Sequence, residues 1–125
     1  MTNSRDIQET IVSTTETGRK AEMAARVYLE MRGYKIIEQN WRRPRCEIDI
    51  VAEKDGVKHF VEVKYRRGNQ QGGGLEAITA TKLHQMRRAA DTYIEESKWR
   101  GEYMLSAIEI GGDSFAVLGF IENAF

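Results

Sequence analysis

Residues 46–65 read CEIDIVAEKDGVKHFVEVKY, two runs rich in β-favouring residues on either side of an Asp-Gly pair. Asp-Gly between two such runs is a strong signal for a two-residue hairpin turn. The stretch therefore predicts strands over residues 47–52 and 57–65, with Asp55 and Gly56 in the turn and Lys54 facing Val57.

Counting back along both strands from this turn sets Asp49 opposite Glu62 and Glu47 opposite Lys64. Side chains alternate between the two faces of a strand, so the register predicts one charged face and one apolar face. The charged face holds Glu47, Asp49, Glu62 and Lys64 with Val51 and Phe60, and the apolar face holds Ile48, Ile50, Val61 and Val63. A slip of one residue would bury the charges, which favours this register.

The rest of the chain supplies two helices and three more strands. Apolar and small residues at helical spacing predict helices over residues 17–31 and 79–97, the second with Thr79 as its N-cap. Further strands are predicted over residues 34–41, 103–110 and 115–121, the last two joined by a glycine-containing turn. Residues 1–17 are expected to be a disordered lead-in to a domain at 18–125, and residues 66–75, with four glycines, a mobile loop. This order predicts an α/β domain, a mixed five-stranded sheet flanked by two main helices.

Composition narrows the classes of protein and site. The chain of 125 residues is 41% apolar and 30% charged, and it has neither a secretory signal nor an apolar run of membrane-spanning length. We expect a cytoplasmic protein with no membrane contact. One cysteine and two histidines exclude a thiolate-rich metal site, whereas 19 acidic residues leave an oxygen-ligand site open. Net charge is zero, so only local basic patches could attract nucleic acid.

The predicted pair of Asp49 and Glu62 suggests chemistry, because two carboxylates directly opposite each other repel. A Mg²⁺ or Mn²⁺ ion between them would offset that repulsion, since hard cations prefer carboxylate and water ligands. Lys64, one pair further along, could stabilise developing negative charge or hold an attacking water. This arrangement suits phosphodiester hydrolysis. The alternative is an ordinary solvated face on which Glu47 and Lys64 form a cross-strand ion pair.

Asp49, followed after twelve residues by Glu62-Val63-Lys64, resembles the D…(D/E)xK core of the PD-(D/E)xK nuclease superfamily, which includes restriction endonucleases and Holliday junction resolvases. The segments AEMAARVYLEMRGYKIIEQNWR, CEIDIVA and FVEVKYRR resemble the YraN-like family of predicted endonuclease-like proteins more closely. That resemblance runs from about Gly18 to the carboxyl end and implies a restriction-endonuclease-like fold.

The resemblance also implies roles for individual residues. Asp49 and Glu62 match metal ligands, and Lys64 matches the catalytic lysine. Glu22 on the first helix matches a further acidic, metal-binding position, although a glutamate early in a helix also stabilises the helix dipole. Glu47 matches a supporting glutamate.

Basic residues near the predicted site are candidates for phosphate contacts that do not read sequence. They are Arg42, Arg43, Arg45, Arg66, Arg67 and Lys82. Lys82 begins the helix after the glycine-rich loop, from where its side chain could point back toward the site. Arg87 and Arg88 are interpreted as solvated surface charge.

The leading hypothesis is a Mg²⁺- or Mn²⁺-dependent endonuclease that acts on DNA, including branched or damaged DNA. A homodimer is one arrangement that would cut two strands symmetrically. The alternative is a non-catalytic nucleic-acid- or protein-binding module that retains the nuclease fold. Departures from the family pattern at Ala21, Cys46 and Ser106 keep that alternative open. A glycosidase is disfavoured, because its two carboxylates would have to flank a cleft rather than share adjacent strands.

Overall fold

A computed structural model describes the backbone of residues 4–67 and 80–122, with side chains from Thr15 onward. Two helices, α1 and α2, and five strands, β1 to β5, follow one another along the chain. In order they are α1 (Ser4–Met31), β1 (Lys35–Arg43), β2 (Cys46–Lys54), β3 (Val57–Arg66), α2 (Ala80–Ser97), β4 (Glu102–Gly111) and β5 (Ala116–Ile121). Within these ranges neither helix has the length and apolar character needed to span a membrane.

The five strands form one mixed sheet in the order β1-β2-β3-β4-β5. All neighbours are antiparallel except β3 and β4, which run parallel, so the chain crosses over from β3 to β4 through α2. The predicted hairpin register is confirmed from Lys54 and Val57, across the turn, as far as Ile50 and Val61. The ladder ends there, so the predicted pairing of Asp49 with Glu62 is not part of it. The predicted α/β class, with a mixed five-stranded sheet and two main helices, is also confirmed.

Each helix covers one face of the sheet. Ala21, Ala25 and Leu29 of α1 pack with one set of buried strand residues, which includes Ile50, Val61 and Ile108. Met86, Ala89 and Tyr93 of α2 pack on the opposite set, which includes Val51, Phe60 and Leu105. The sheet is therefore buried on both sides, and a polar side chain that points toward either helix from the middle of a strand is partly desolvated.

The first helix, α1, is longer than the sequence predicted. The helix begins at Ser4 rather than near Thr17, so the predicted start was wrong, and the backbone of residues 4–17 is helical where the sequence predicted a disordered lead-in. The domain boundary itself stays a prediction. Thr79, the expected N-cap of α2, lies outside the described residues, as do the four glycines of the predicted mobile loop, Gly68, Gly72, Gly73 and Gly74.

The regular alternation of side chains is interrupted where β1 and β2 meet, and this interruption corrects part of the predicted face assignment. Ile50 packs with the α1 cluster as predicted, but Ile48, two residues earlier, packs with Val51 and Phe60 in the α2 cluster. On β1, Asn40 has a φ of +52° and lies between the partners of Ile50 and Ile48. The positive φ interrupts the regular geometry of β1 just before Trp41, which pairs with Ile48 and packs in the same α2 cluster. Asparagine tolerates that conformation better than most residues.

Replacing Asn40 should test this irregular segment. Asn40→Val should destabilise the protein by about 1–2 kcal/mol, because a β-branched residue is strained at positive φ. Asn40→Gly, which tolerates that φ, is the matched control and should remain within a few tenths of the wild-type free energy of unfolding. Urea denaturation measures both, and equal losses in the two variants would contradict the explanation.

Candidate active site

The interruption in β2 places the carboxylate of Asp49 at the end of the β2–β3 ladder. Main-chain pairing of these strands runs from Lys54 and Val57 to Ile50 and Val61. Beyond it, the Val63 N–H donates to Oδ2 of Asp49 at 2.8 Å. A side-chain oxygen thus takes the place of a main-chain acceptor, which satisfies the Val63 amide and fixes the orientation of the carboxylate.

Other acids surround Asp49. Burial, and after it the negative charge of Glu62, raises the pKa of the Asp49 carboxyl to about 7. The Val63 amide opposes the shift, whereas the charges of Glu22 and Glu47 add to it. Three predicted site residues, Glu62, Glu22 and Glu47, are therefore close enough to Asp49 to act on it electrostatically. A carboxyl with this pKa changes its protonation state near neutral pH, which is common at functional sites.

Glu62 is the second carboxylate of the site and already has a cationic partner. Its side chain is 12% exposed, and its Oε1 lies 3.0 Å from Nζ of Lys82. Lys82 lies in the first turn of α2, so the helix on this face brings an ammonium group to the carboxylate. Sequence reasoning placed Lys82 among phosphate-binding residues, and the direct contact with Glu62 came only from the packing of α2 against β3.

A further buried carboxylate, Glu109 on β4, was missed by sequence reasoning. Glu109 is 2% exposed, pairs with Lys64 in the parallel β3–β4 ladder, and has Arg66 Nε 3.5 Å from its Oε2. Its neighbours Ile108 and Ile110 pack against α1, so alternation puts Glu109 on the α2 face. The alternation of Glu109 with isoleucines was a signal, but using it requires knowing that β4 lies parallel to β3.

Glu47 does not lie opposite Lys64, and that part of the predicted register was wrong. β2 leaves β3 beyond Ile50, so Glu47 pairs instead with Arg42 of β1, with 3.5 Å between its Oε2 and Nε of Arg42. Lys64 is partly buried, and its main-chain ladder partner is Glu109. Glu47 is exposed and acts on Asp49 only through its charge.

A basic cleft of about 320 Å³ opens beside Glu62, between the β1–β2 turn and α2. Its lining residues are Arg42, Arg43, Arg45, Cys46, Glu47, Lys82, Gln85 and Met86. Asp49, Glu62 and Lys64 do not line this cleft, but Lys82 lines it and also contacts Glu62, so Lys82 connects the two groups of residues.

The predicted phosphate-binding arginines differ in how strongly they are already engaged. Arg43 donates from Nε to both carboxylate oxygens of Glu96, at 2.9 and 3.0 Å, and its guanidinium lies over the Trp41 ring. The hydrogen bond to Glu96 raises the pKa of Arg43 above its usual value. Arg45 is exposed at the turn with a φ of +65°. Arg67, also predicted, is exposed just beyond β3.

Asp49 and Glu62 have the donor chemistry for Mg²⁺ or Mn²⁺, which commonly bind one or two carboxylates and complete their coordination with water and substrate phosphate. The clustering of acids that raises the pKa of Asp49 would be relieved by a cation between them. Within residues 4–67 and 80–122, no three His, Cys, Asp or Glu side chains converge closely enough to form a metal-binding group. The assignment of Glu22 as a third ligand therefore stays a prediction.

Comparison with known proteins identifies the family. The model of uncharacterised protein family UPF0102 matches residues 21–115 of this chain. The chain belongs to that family. A UPF0102 protein of Shewanella loihica is 36% identical over 108 residues, covering 86% of this chain and 92% of the relative. One from Ectopseudomonas mendocina is 36% identical over 115 residues, covering 90% and 97%. A third, from Sulfurihydrogenibium, is 38% identical over 112 residues, covering 89% and 95%.

This family is the YraN-like family, so the resemblance seen in the sequence is confirmed. The matched residues include Glu22, Asp49, Glu62, Lys64 and Lys82, so the whole candidate site lies inside the family's shared region. Neither the family description nor the relatives' names assign an activity.

Replacing Asp49 should change how stability depends on pH. An aspartate in the unfolded chain has a pKa near 3.9, against about 7 in the fold. Between these values the unfolded chain releases a proton that the folded chain keeps, so stability falls as pH rises through this window and stays low above it. In metal-free buffer, Asp49→Asn should exceed wild type in stability at pH 8, by on the order of 2–4 kcal/mol.

The advantage of Asp49→Asn should shrink as the pH falls toward 4 and disappear below it, where the wild-type carboxyl is protonated in both the folded and the unfolded chain. Asp55→Asn, in the exposed hairpin turn, is the matched control and should follow the wild-type pH profile. Denaturation midpoints at several pH values measure the effect. An Asp49→Asn advantage that does not vary with pH would contradict the raised pKa.

Proposed function

We propose that this protein is a divalent-metal-dependent endonuclease that hydrolyses phosphodiester bonds of DNA. The observation that carries the proposal is the position of Asp49 and Glu62. Two partly buried carboxylates lie close together at the end of a ladder, on the same strand pair as the partly buried Lys64, and Lys82 connects them to a basic cleft. Membership of the YraN-like family, with its resemblance to the PD-(D/E)xK nucleases, supports the same function.

Asp49 and Glu62 would hold the Mg²⁺ or Mn²⁺ ion, with Glu22 as a further ligand. When bound, the cation supplies a water of lowered pKa and neutralises charge on the phosphate oxygens. The Val63 amide holds the Asp49 carboxylate in one orientation, so this ligand needs little rearrangement. Glu47 adds negative charge next to Asp49, which favours a cation there.

Lys64 would stabilise negative charge that develops on the phosphate or hold the attacking water. Within residues 4–67 and 80–122 its ammonium forms no ion pair with a carboxylate. Glu109, its ladder neighbour, lies instead 3.5 Å from Arg66. The positive charge of Lys64 is thus available to a substrate, and Arg66 balances the buried glutamate beside it.

The basic cleft supports binding of a phosphate backbone next to the carboxylates. Arg42 and Arg45, both exposed, line this cleft together with the less exposed Lys82. Such contacts fix the position of a nucleic acid without reading its sequence. Because net charge is zero, attraction to DNA would come from this local group rather than from the molecule as a whole.

A non-catalytic nucleic-acid-binding module is the second candidate function. One observation favours it: Glu62 is already neutralised by Lys82, so the site is electrostatically satisfied on that side without a metal ion. Such a module would use the cleft for phosphate contacts and leave the carboxylates as buried polar groups.

Substitution of the proposed site separates the two functions. Glu62→Gln and Lys64→Met should each reduce Mg²⁺- or Mn²⁺-dependent cleavage roughly 10²- to 10⁴-fold, because each removes a ligand or a charge that acts in the transition state. Cleavage is measured on single-stranded, duplex and four-way-junction DNA. Glu53→Gln, in the same hairpin but paired with Lys58, is the matched control and should cut like wild type.

Two results would decide against the enzyme. Cutting that persists unchanged in both variants would show a different site or a contaminating nuclease. Binding of DNA by wild type with no metal-dependent cutting of any of the three substrates would favour the module.

The arginines of the cleft should differ in their contribution to the salt dependence of DNA binding. Arg45→Ala should lower the slope of log affinity against log salt by about 0.9 on duplex DNA, the release expected for one phosphate contact. Arg42→Ala should lower it by a smaller amount, because Oε2 of Glu47 lies 3.5 Å from Nε of Arg42. Arg43→Ala is the internal comparison and should change the slope less, because Glu96 already neutralises Arg43. Fluorescence anisotropy across a salt series measures the slopes, and three equal slopes would contradict this assignment.

A further inference from the structure

The contact between Lys82 and Glu62 places a positive charge where the proposed function needs a metal ion. Nζ of Lys82 is 3.0 Å from Oε1 of Glu62, and that carboxylate is only 12% exposed. A carboxylate with so little contact with water requires a cationic partner or a proton. Glu62 therefore carries an ammonium group at Oε1, an oxygen of the carboxylate that would hold a divalent cation.

An ammonium and a divalent cation cannot both bind this oxygen closely, because like charges within a few ångströms repel strongly in a partly buried site. Lys82 would have to move away from Glu62 for a cation to bind. Its side chain has the freedom to do so, since lysine carries a compact charge on four rotatable carbons and Lys82 is 27% exposed.

The surroundings of Lys82 indicate where the ammonium would go. Lys82 lines the same cleft as Arg42 and Arg45, the predicted phosphate-binding arginines. A rotation of its side chain toward the cleft would take the ammonium away from Glu62 and add it to those two guanidinium groups. The backbone of α2 need not move.

We propose that Lys82 is an internal counterion that competes with the divalent cation for Glu62, and that on release it binds a phosphate of the nucleic acid in the arginine-lined cleft. This inference rests on the proposed function, since it uses the same carboxylate. It makes metal binding and nucleic-acid binding mutually favourable, because each removes Lys82 from Glu62.

The first measurement is the affinity for Mn²⁺ alone, by isothermal titration calorimetry of the full chain. Lys82→Gln should bind Mn²⁺ roughly fivefold more tightly than wild type, which corresponds to about 1 kcal/mol. Lys82→Arg retains the charge and should bind like wild type. Arg88→Gln removes a positive charge from an exposed position of the same helix and is the matched control for long-range electrostatics; it should also bind like wild type.

The second measurement is the affinity for a fluorescent DNA oligonucleotide, in EDTA and in Mn²⁺ at matched ionic strength. Lys82→Gln should match wild type in EDTA, where Lys82 is held by Glu62, and bind more weakly than wild type only in Mn²⁺. A gel run after each titration verifies that the oligonucleotide is intact. If Lys82 merely attracted DNA by its charge, Lys82→Gln would lower the affinity for the oligonucleotide in both buffers.

The outcomes separate this inference from the proposed function. If wild type binds Mn²⁺ and Lys82→Gln binds it no more tightly, the competition is overturned while the metal site stands. An equal loss of oligonucleotide affinity in EDTA and Mn²⁺ also overturns it. If neither protein binds Mn²⁺, both the inference and the metal-dependent function fail. Lys82→Met provides a second neutral variant should Lys82→Gln prove unfolded by circular dichroism.

Discussion

The hydrogen bond from the Val63 amide to the Asp49 carboxylate is the constraint around which the candidate site is built. It forms where β2 stops pairing with β3, so an acidic side chain completes a ladder that the main chain leaves. A buried amide without an acceptor would cost about 1–3 kcal/mol, which makes Asp49 part of the sheet as well as of the site. The fold itself therefore fixes the orientation of the carboxylate.

The three carboxylates on the α2 face of the sheet, Asp49, Glu62 and Glu109, have different partners. Glu62 is balanced by Lys82 from the helix, and Glu109 is balanced by Arg66 from its own neighbouring strand. Asp49 accepts a hydrogen bond from the Val63 amide rather than contacting a cation. Burial and the negative charge of Glu62 therefore raise the pKa of its carboxyl. A bound proton, an ammonium group and a metal ion are three ways to neutralise the same small group of acids, and the physical competition among them sets the chemistry of the proposed site.

A chain with zero net charge can still present a strongly basic surface. The β1–β2 turn places three arginines at one end of the sheet, and α2 adds Lys82 opposite them, whereas Glu96 neutralises one of the arginines. The cleft therefore brings together three guanidinium groups and one ammonium, of which Arg43 is paired with Glu96 and Arg42 with Glu47. Counting charges over the whole chain conceals this separation, which depends on which residues the fold brings together.

The sequence by itself determined the hairpin of β2 and β3, because Asp-Gly set a two-residue turn. The alternation of side chains then fixed the pairing of the two strands from Lys54 and Val57 as far as Ile50 and Val61. It also determined the α/β class, since helical and strand periodicities follow one another in a clear order along the chain.

Three features were decided only by tertiary structure. Ile48 lies on the α2 face, next to the segment of β1 in which Asn40 has a positive φ, and the β2–β3 ladder ends at Ile50, which separates Glu47 from Lys64. Parallel pairing of β3 with β4, forty-five residues apart at Lys64 and Glu109, brought Glu109 into the site. Packing of α2 on the sheet brought Lys82 to Glu62. Local rules of turn and alternation act over neighbouring residues, whereas these contacts depend on long-range pairing and on where one strand leaves another, which no local pattern specifies.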